Sequence, residues 1–309
     1  MSDISFSQGL YELIDCYDGF IIDQWGVLHN GVEVHDGAID VLHYLRKNHK
    51  QVILLSNTPK RAEDNINKMK KIGLKSTLYN EVVTSGEVTW RGIKEQNKPP
   101  FENLGSKCYL ISRSDDKDLL EGLDVEVVSD IEDAEFILIT SFDPKVTSME
   151  DLDIVLKKAV GKRIPLICAN PDMVTITGHE RGVGPGAVAQ RYQELGGSAH
   201  YIGKPHKTIF RYALSLFKDV IPSRVLMIGD SMQHDVAGGI AVDLDTLFIT
   251  SGIHSSNFKP DMSKDQKRKV MDQIMKNYGG IHPKFVMESL IWQTPESILR
   301  DRDRARMQD

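Results

Sequence analysis

The chain is poor in cysteine, with only Cys16, Cys108 and Cys168 among its 309 residues. Three scattered thiols are too few for a disulfide framework or a zinc site. Two of them fall in apolar strand-like runs, Lys107–Ser112 and Pro165–Asn170, where a thiol behaves as a small hydrophobe. Charge of one sign is also missing. A formal net charge of -6 gives no bulk attraction to nucleic acid or to an anionic membrane. The short Lys267-Arg268-Lys269 run reads as a solvated face. No window approaches the roughly 20 apolar residues that cross a bilayer. Met1–Ser5 has no basic region leading into an apolar stretch, so no signal peptide is expected. The expected setting is reducing and cytoplasmic.

What is present is an ordinary globular composition, 40% hydrophobic and 27% charged, on a length that suits about two domains. Short apolar runs alternate with helical patterns throughout. Strands are expected at Gly19–Trp25, Gln51–Ser56 and Glu81–Ser85, with helices at Asp36–Asn48 and Arg61–Ile72 between them. In the first helix Ile39, Leu42, His43 and Leu45 are expected on one side. After Gly86 a helix leads into the Pro-containing segment Gln96–Pro100 and a second strand and helix set. The strands His200–Ile202, Arg224–Gly229 and Thr246–Thr250 resume the first pattern, and a charged terminal helix follows Lys284–Leu290. The fold class is therefore α/β: a doubly wound, mostly parallel sheet in a discontinuous core, 1–85 with 178–309, and a second domain inserted at 86–177.

Four short stretches carry the chemistry. In a doubly wound sheet ligands bind beyond the carboxyl ends of the strands. Asp23, Ser56 and Asp230 fall at such ends, and Lys204 lies two residues past a shorter strand. Asp23 has the chemistry to attack phosphorus and form an aspartyl phosphate. Asp230 and Asp235 offer hard oxygen ligands for Mg²⁺. Ser56 donates to a phosphoryl oxygen, and Lys204 offsets charge on the transferring group. Alone, each residue has a plainer reading: a helix cap, a loop start, a surface lysine, a tight turn. Together and in this order they form a phosphate-handling set.

On these motifs the chain resembles the haloacid dehalogenase (HAD) superfamily, in its class IIA group of NagD-like and p-nitrophenyl-phosphatase-like enzymes. Asp23-Gln24-Trp25-Gly26-Val27-Leu28 matches the first motif and Ser56-Asn57 the second. Gly203-Lys204-Pro205 matches the third, and Gly229-Asp230-Ser231 with Asp235 the fourth. Asn170-Pro171-Asp172 resembles the signature near the end of the inserted cap, where substrate contacts are made. The resemblance implies a HAD-like Rossmannoid core with an α/β cap. It also implies a Mg²⁺-dependent phosphatase with Asp23, Ser56 and Lys204 as catalytic residues. The substrate would be a small phosphorylated metabolite, sugar- or nucleotide-like, contacted by Asn57, Asn170 and Asp172. The metal ligands would be Asp23, Asp230, Asp235 and the backbone carbonyl of Trp25. Neither nucleic acid nor membrane is expected as a partner, and a homodimer is left open.

One position departs from the pattern. The group's second aspartate, which protonates the leaving oxygen and later activates water, is Trp25 here. An indole N–H does not titrate usefully, and loss of a general acid–base commonly costs about 10²- to 10⁴-fold in rate. The ring is expected to fill the crevice or pack under the cap; His29 or His206 would otherwise have to move the proton, or the substrate would carry a good leaving group. Gly182-Val183-Gly184-Pro185-Gly186 lacks a dinucleotide-binding spacing. Gly229-Asp230-Ser231 lacks the downstream Asp-x-x-His of a serine esterase. The competing function is a catalytically silent phosphoryl-ligand binder or scaffold on the same fold.

Overall fold

The computed structural model describes residues 4–113, 118–143, 147–177 and 180–294. In chain order the elements are β1 (Ser5–Phe6), β2 (Gly19–Asp23), α1 (Ala38–Lys47), β3 (Gln51–Ser56), α2 (Ala62–Lys71), β4 (Glu81–Thr84) and α3 (Ser85–Glu95). Then come β5 (Lys107–Ile111), β6 (Glu126–Val128), β7 (Phe136–Ile139), α4 (Met149–Lys162), β8 (Leu166–Cys168), β9 (Val174–Thr177), β10 (Glu180–Val183) and α5 (Pro185–Glu194). The chain continues through β11 (Ala199–Tyr201), α6 (Lys207–Ser215), β12 (Val225–Gly229), α7 (Ala237–Ala241), β13 (Asp245–Ile249), α8 (Lys264–Asn277) and β14 (Phe285–Met287). It divides into two compact units: Met1–Leu55 with Ile66–Val82 and Phe210–Asp309, and Ser56–Asn65 with Val83–Ile209.

A seven-stranded sheet has the order β1-β14-β13-β12-β2-β3-β4. The pairings from β1 through β3 are all parallel. Continuous apolar runs make this possible, because a parallel sheet covered on both faces leaves no polar side. All five residues of β2 and all five of β12 are buried. Ile22 pairs with Ile228, so Asp23 and Gly229-Asp230 leave the two strands at the same level. Helix α1 buries Ala38, Val41, Leu42 and Leu45, the i, i+3, i+4, i+7 set that starts one residue earlier than expected. Ile39 and His43 stand outside it and are exposed. Helix α8 begins with a full Ser263/Gln266 capping box and packs Met271, Ile274 and Met275 against Phe248 and Val286.

The second unit has its own five-stranded sheet, order β11-β8-β7-β5-β6, again parallel. Leu152, Leu156 and Ala159 of α4 and Val188, Ala189 and Tyr192 of α5 bury against Ile137, Ile139 and Leu166. The Tyr192 hydroxyl donates to the Ile164 carbonyl at 2.6 Å, so the one polar atom of this aromatic is satisfied. Two features differ from expectation. Strand β11 pairs with β8 instead of extending the core sheet. The Gly-rich stretch before α5 contains an antiparallel hairpin, β9 with β10. The expected charged terminal helix lies outside the described residues. Among the described residues, no helix is long and apolar enough to cross a membrane.

The thiols test this packing. Burial pushes the Cys108 thiol up to about 12 and raises Cys168 further, whereas Cys16 is exposed. A thiol reagent at pH 8 should titrate Cys16 alone in the native protein and all three after denaturation. Rapid native labelling of Cys108 or Cys168 would contradict the buried placement.

Candidate active site

In the first unit Asp23, Asp230 and Asp235 come together. Each offers a carboxylate oxygen, and these oxygens lie within 4.8 Å of one another. All three residues are buried, at 8%, 2% and 1% exposure. Asp23 ends β2, Asp230 follows β12, and Asp235 sits on a single π-helical turn, Met232–Val236, capped by the Ser231 hydroxyl. Main-chain donors hold the last two: Ile253 N–H donates to Asp230 Oδ2 at 2.8 Å, and Ser231 N–H to Asp235 Oδ2 at 3.0 Å. Three buried carboxylates this close require positive charge or protons. The set is all hard oxygen, with no thiol or imidazole in the cluster, which fits Mg²⁺ or Ca²⁺ and not a soft metal.

The loop after Asp23 is shaped around this cluster. Gly26 has φ +81°, and a Cβ there would collide with the Asp230 carboxylate, so the 25–26 peptide runs against that side chain. That places the main chain of Trp25 beside the cluster, where its carbonyl was expected to serve as a ligand. The indole is 61% exposed. One side of it rests on Gly31, at φ +90°, and its edge meets the His29 ring at 6.2 Å between centroids. His29 Nδ1 accepts the Gly31 N–H at 3.0 Å, and burial, with the neighbouring His35, pushes the ring down to about 4. The neutral imidazole therefore carries its proton on Nε2, which is buried without a partner. In this tautomer His29 has no lone pair left to act as a base.

In the second unit Asn57 organises Asp172 and Lys204. Its Nδ2 donates to Asp172 Oδ1 at 2.9 Å and to the Lys204 carbonyl at 3.1 Å, and its Oδ1 accepts the Lys204 N–H at 2.6 Å. Both ends of the amide are thus spent on protein. The Asn170 side chain accepts the Asp172 N–H at 3.1 Å, closing the turn that presents Asp172. Gly184 and Gly186 N–H groups bond the Met173 and Asp172 carbonyls, so the glycine stretch before α5 fixes this loop. Lys204 is buried at 3%, and Ser56 is half-buried with its hydroxyl accepting the Thr58 N–H. The His206 ring stacks on Tyr201 at 4.7 Å. Sequence reasoning missed Gly26, Gly252 and Ile253, which close around Asp230. The Ser251-Gly252 pair just past β13 was the available signal.

Residues 20–126 match the haloacid dehalogenase-like hydrolase family, and residues 201–277 match the HAD-hydrolase-like family. The chain is 30% identical over 256 residues to the acid sugar phosphatase of Staphylococcus haemolyticus, covering 81% of this chain and 91% of that one. A haloacid dehalogenase-like hydrolase from Brucella suis superposes with TM-score 0.73 at 30% identity, over 93% of this chain and all of that one. The p-nitrophenyl phosphatase of Archaeoglobus fulgidus shares the fold, with TM-score 0.70 at 22% identity over 88% and 96% of the two chains. The chain belongs to the haloacid dehalogenase-like hydrolases.

The Asn57 clamp has a measurable worth. Asn57→Ala removes three hydrogen bonds, each worth about 1 kcal/mol net. Denaturant unfolding should show a loss of about 2–3 kcal/mol; an unchanged midpoint would mean that Asp172 and Lys204 are held by something else.

Proposed function

We propose that the protein is a Mg²⁺-dependent phosphatase of small phosphorylated metabolites, sugar- or nucleotide-like, working in the cytoplasm through an aspartyl phosphate on Asp23. The observation that carries this is the buried cluster of Asp23, Asp230 and Asp235 at coincident strand ends. The name of the Staphylococcus haemolyticus relative supports a sugar phosphate as substrate. In this reading Asp23, Asp230, Asp235 and the main-chain carbonyl of Trp25 hold the ion. Bound Mg²⁺ supplies positive charge to the phosphoryl oxygens. Ser56 donates to one of those oxygens and Lys204 offsets their charge. Residues 86–177 act as the cap, with Asn170 and Asp172 selecting the leaving group and Asn57 holding Asp172 and Lys204 in place.

The reaction has two steps. An Asp23 oxygen bonds to phosphorus while the ester P–O bond breaks, its electron pair leaving on the ester oxygen. Water then bonds to phosphorus, the pair of the broken bond returns to the Asp23 carboxylate, and both water protons stay with the phosphate product. Trp25 assists neither proton movement. A substrate with an acidic leaving group passes the first step unaided and waits at the second.

Mixing the protein with Mg²⁺ and p-nitrophenyl phosphate should therefore give a burst of about one p-nitrophenolate per chain, then slow turnover. Asp23→Asn should remove both phases. Trp25→Asp should abolish the burst and raise the steady rate by about 10²- to 10⁴-fold. Turnover that persists in Asp23→Asn would overturn the assignment.

Trp25 favours a second reading, a silent phosphoryl-ligand binder. Mg²⁺ at 100 times its Kd should stabilise the native protein by about 2.7 kcal/mol in either case, raising its melting temperature, and should fail to do so in Asp230→Asn. The binder reading holds if that stabilisation occurs, a phosphometabolite panel yields no phosphate, and Trp25→Asp creates turnover.

A further inference from the structure

An exposed tryptophan is not unusual on a protein surface, but Trp25 is exposed and immobilised at once. Its backbone is pinned by the Gly26 N–H to His29 carbonyl bond at 2.9 Å and by a bridge between Trp25 and His29. Gly31 lies so close beneath the ring that any Cβ there would collide with it. The His29 ring stands edge-on at an interplanar angle of 80°. The other side of the indole is open, and the residue keeps 61% of its exposure. A rigid aromatic loses little conformational entropy on meeting a ligand, which is why such residues make efficient contact surfaces.

Its location adds the second half of the argument. Two residues of extended chain span about 7 Å, so Trp25 is tethered within one small ring's reach of Asp23. On the other loop beside Asp230, Ile253 is 59% exposed while its N–H bonds that carboxylate. The two loops touch, because a Cβ at Gly26 would lie 3.5 Å from the Gly252 Cα. The loops that carry Trp25 and Ile253 thus meet beside Asp230, and both side chains are exposed. Neither can hydrate or protonate a leaving group.

We propose that Trp25 is a substrate-contact residue whose indole forms a fixed platform for a flat ring on the leaving group, making ring-borne phosphate monoesters, and aryl phosphates above all, the preferred substrate class. This rests on the phosphatase reading above. The platform places the ring where its ester oxygen faces Asp23. As the Asp23 O–P bond forms and the ester P–O bond breaks, the electron pair stays on the ring oxygen. An aromatic ring spreads that charge, and solvent protonates the oxygen after release. Position 25 thus exchanges proton donation for selection of leaving groups that need none.

Two inert phosphonates test the platform apart from turnover. Titration calorimetry of the full-length protein with Mg²⁺ should give phenylphosphonate about tenfold or more tighter binding than methylphosphonate, the scale of an aromatic stacking contact. Trp25→Ala should collapse that ratio towards one, and Trp25→Phe should keep most of it. A ratio that survives Trp25→Ala, or that is near one in the unaltered protein, overturns the platform and leaves the phosphatase reading standing. Binding of neither phosphonate overturns both.

Discussion

The enclosure of three negative charges is the constraint around which the first unit is arranged. Like carboxylates with oxygens within 4.8 Å repel by about 3 kcal/mol per pair at an effective dielectric of about 20. Burial adds a desolvation cost to each. The sheet fixes two of the three: β2 and β12 are buried on both faces and paired in register, so Asp23 and Asp230 cannot drift apart into water. The surrounding main chain supplies what donors it can, from Ser231 and Ile253. On the proposed reading a divalent cation completes the set. A fold that simply sought stability would not place acids there, and strain of this kind gathers at functional sites.

Much of this was readable from the chain because the site sits at strand ends. Ile21-Ile22-Asp23 and Met227-Ile228-Gly229-Asp230 each switch from an apolar run to an acid, and a switch of that kind at the end of a buried strand has a local signature. Sheet membership has no such signature. Strand β11 is three half-buried residues, and nothing in Ala199-His200-Tyr201 says which of two parallel sheets it joins. The β9–β10 hairpin hides behind glycines that serve a turn and a close approach equally well. In α1 the apolar stripe was found but rotated by one residue, since Ala38 counts as weakly apolar while Ile39 draws the eye to the wrong face.

The clamp at Asn57 was illegible for another reason. An amide after a strand looks the same whether it faces a ligand or the protein, and its partners lie 115 and 147 residues away. The proton on His29 was likewise out of reach, because it is set by the N–H of Gly31 and by burial, both consequences of how one short loop closes. That loop is where sequence and structure diverge most usefully. From the chain alone the indole either filled the crevice or packed under the cap, with His29 or His206 as the alternative for moving the proton. In the structure His29 is enclosed and committed, and the indole is exposed.

A missing acid–base residue removes stabilisation that exists only in the transition states, roughly 3–5 kcal/mol for a 10²- to 10⁴-fold rate loss. A stacking platform returns about 1–3 kcal/mol, but it grips the ring before and during bond breaking alike. Uniform binding of this sort lowers KM without raising kcat. The two effects therefore do not cancel; they act on different quantities. On the proposed mechanism the platform would bias which esters reach Asp23 in the first step, and the chemistry would then favour those that leave as stable anions. In the second step the ring would be gone, and hydrolysis of the aspartyl phosphate would proceed without help from position 25. Selectivity is gained in the half of the cycle where a ring is present, and speed is lost in the half where only phosphate and water remain.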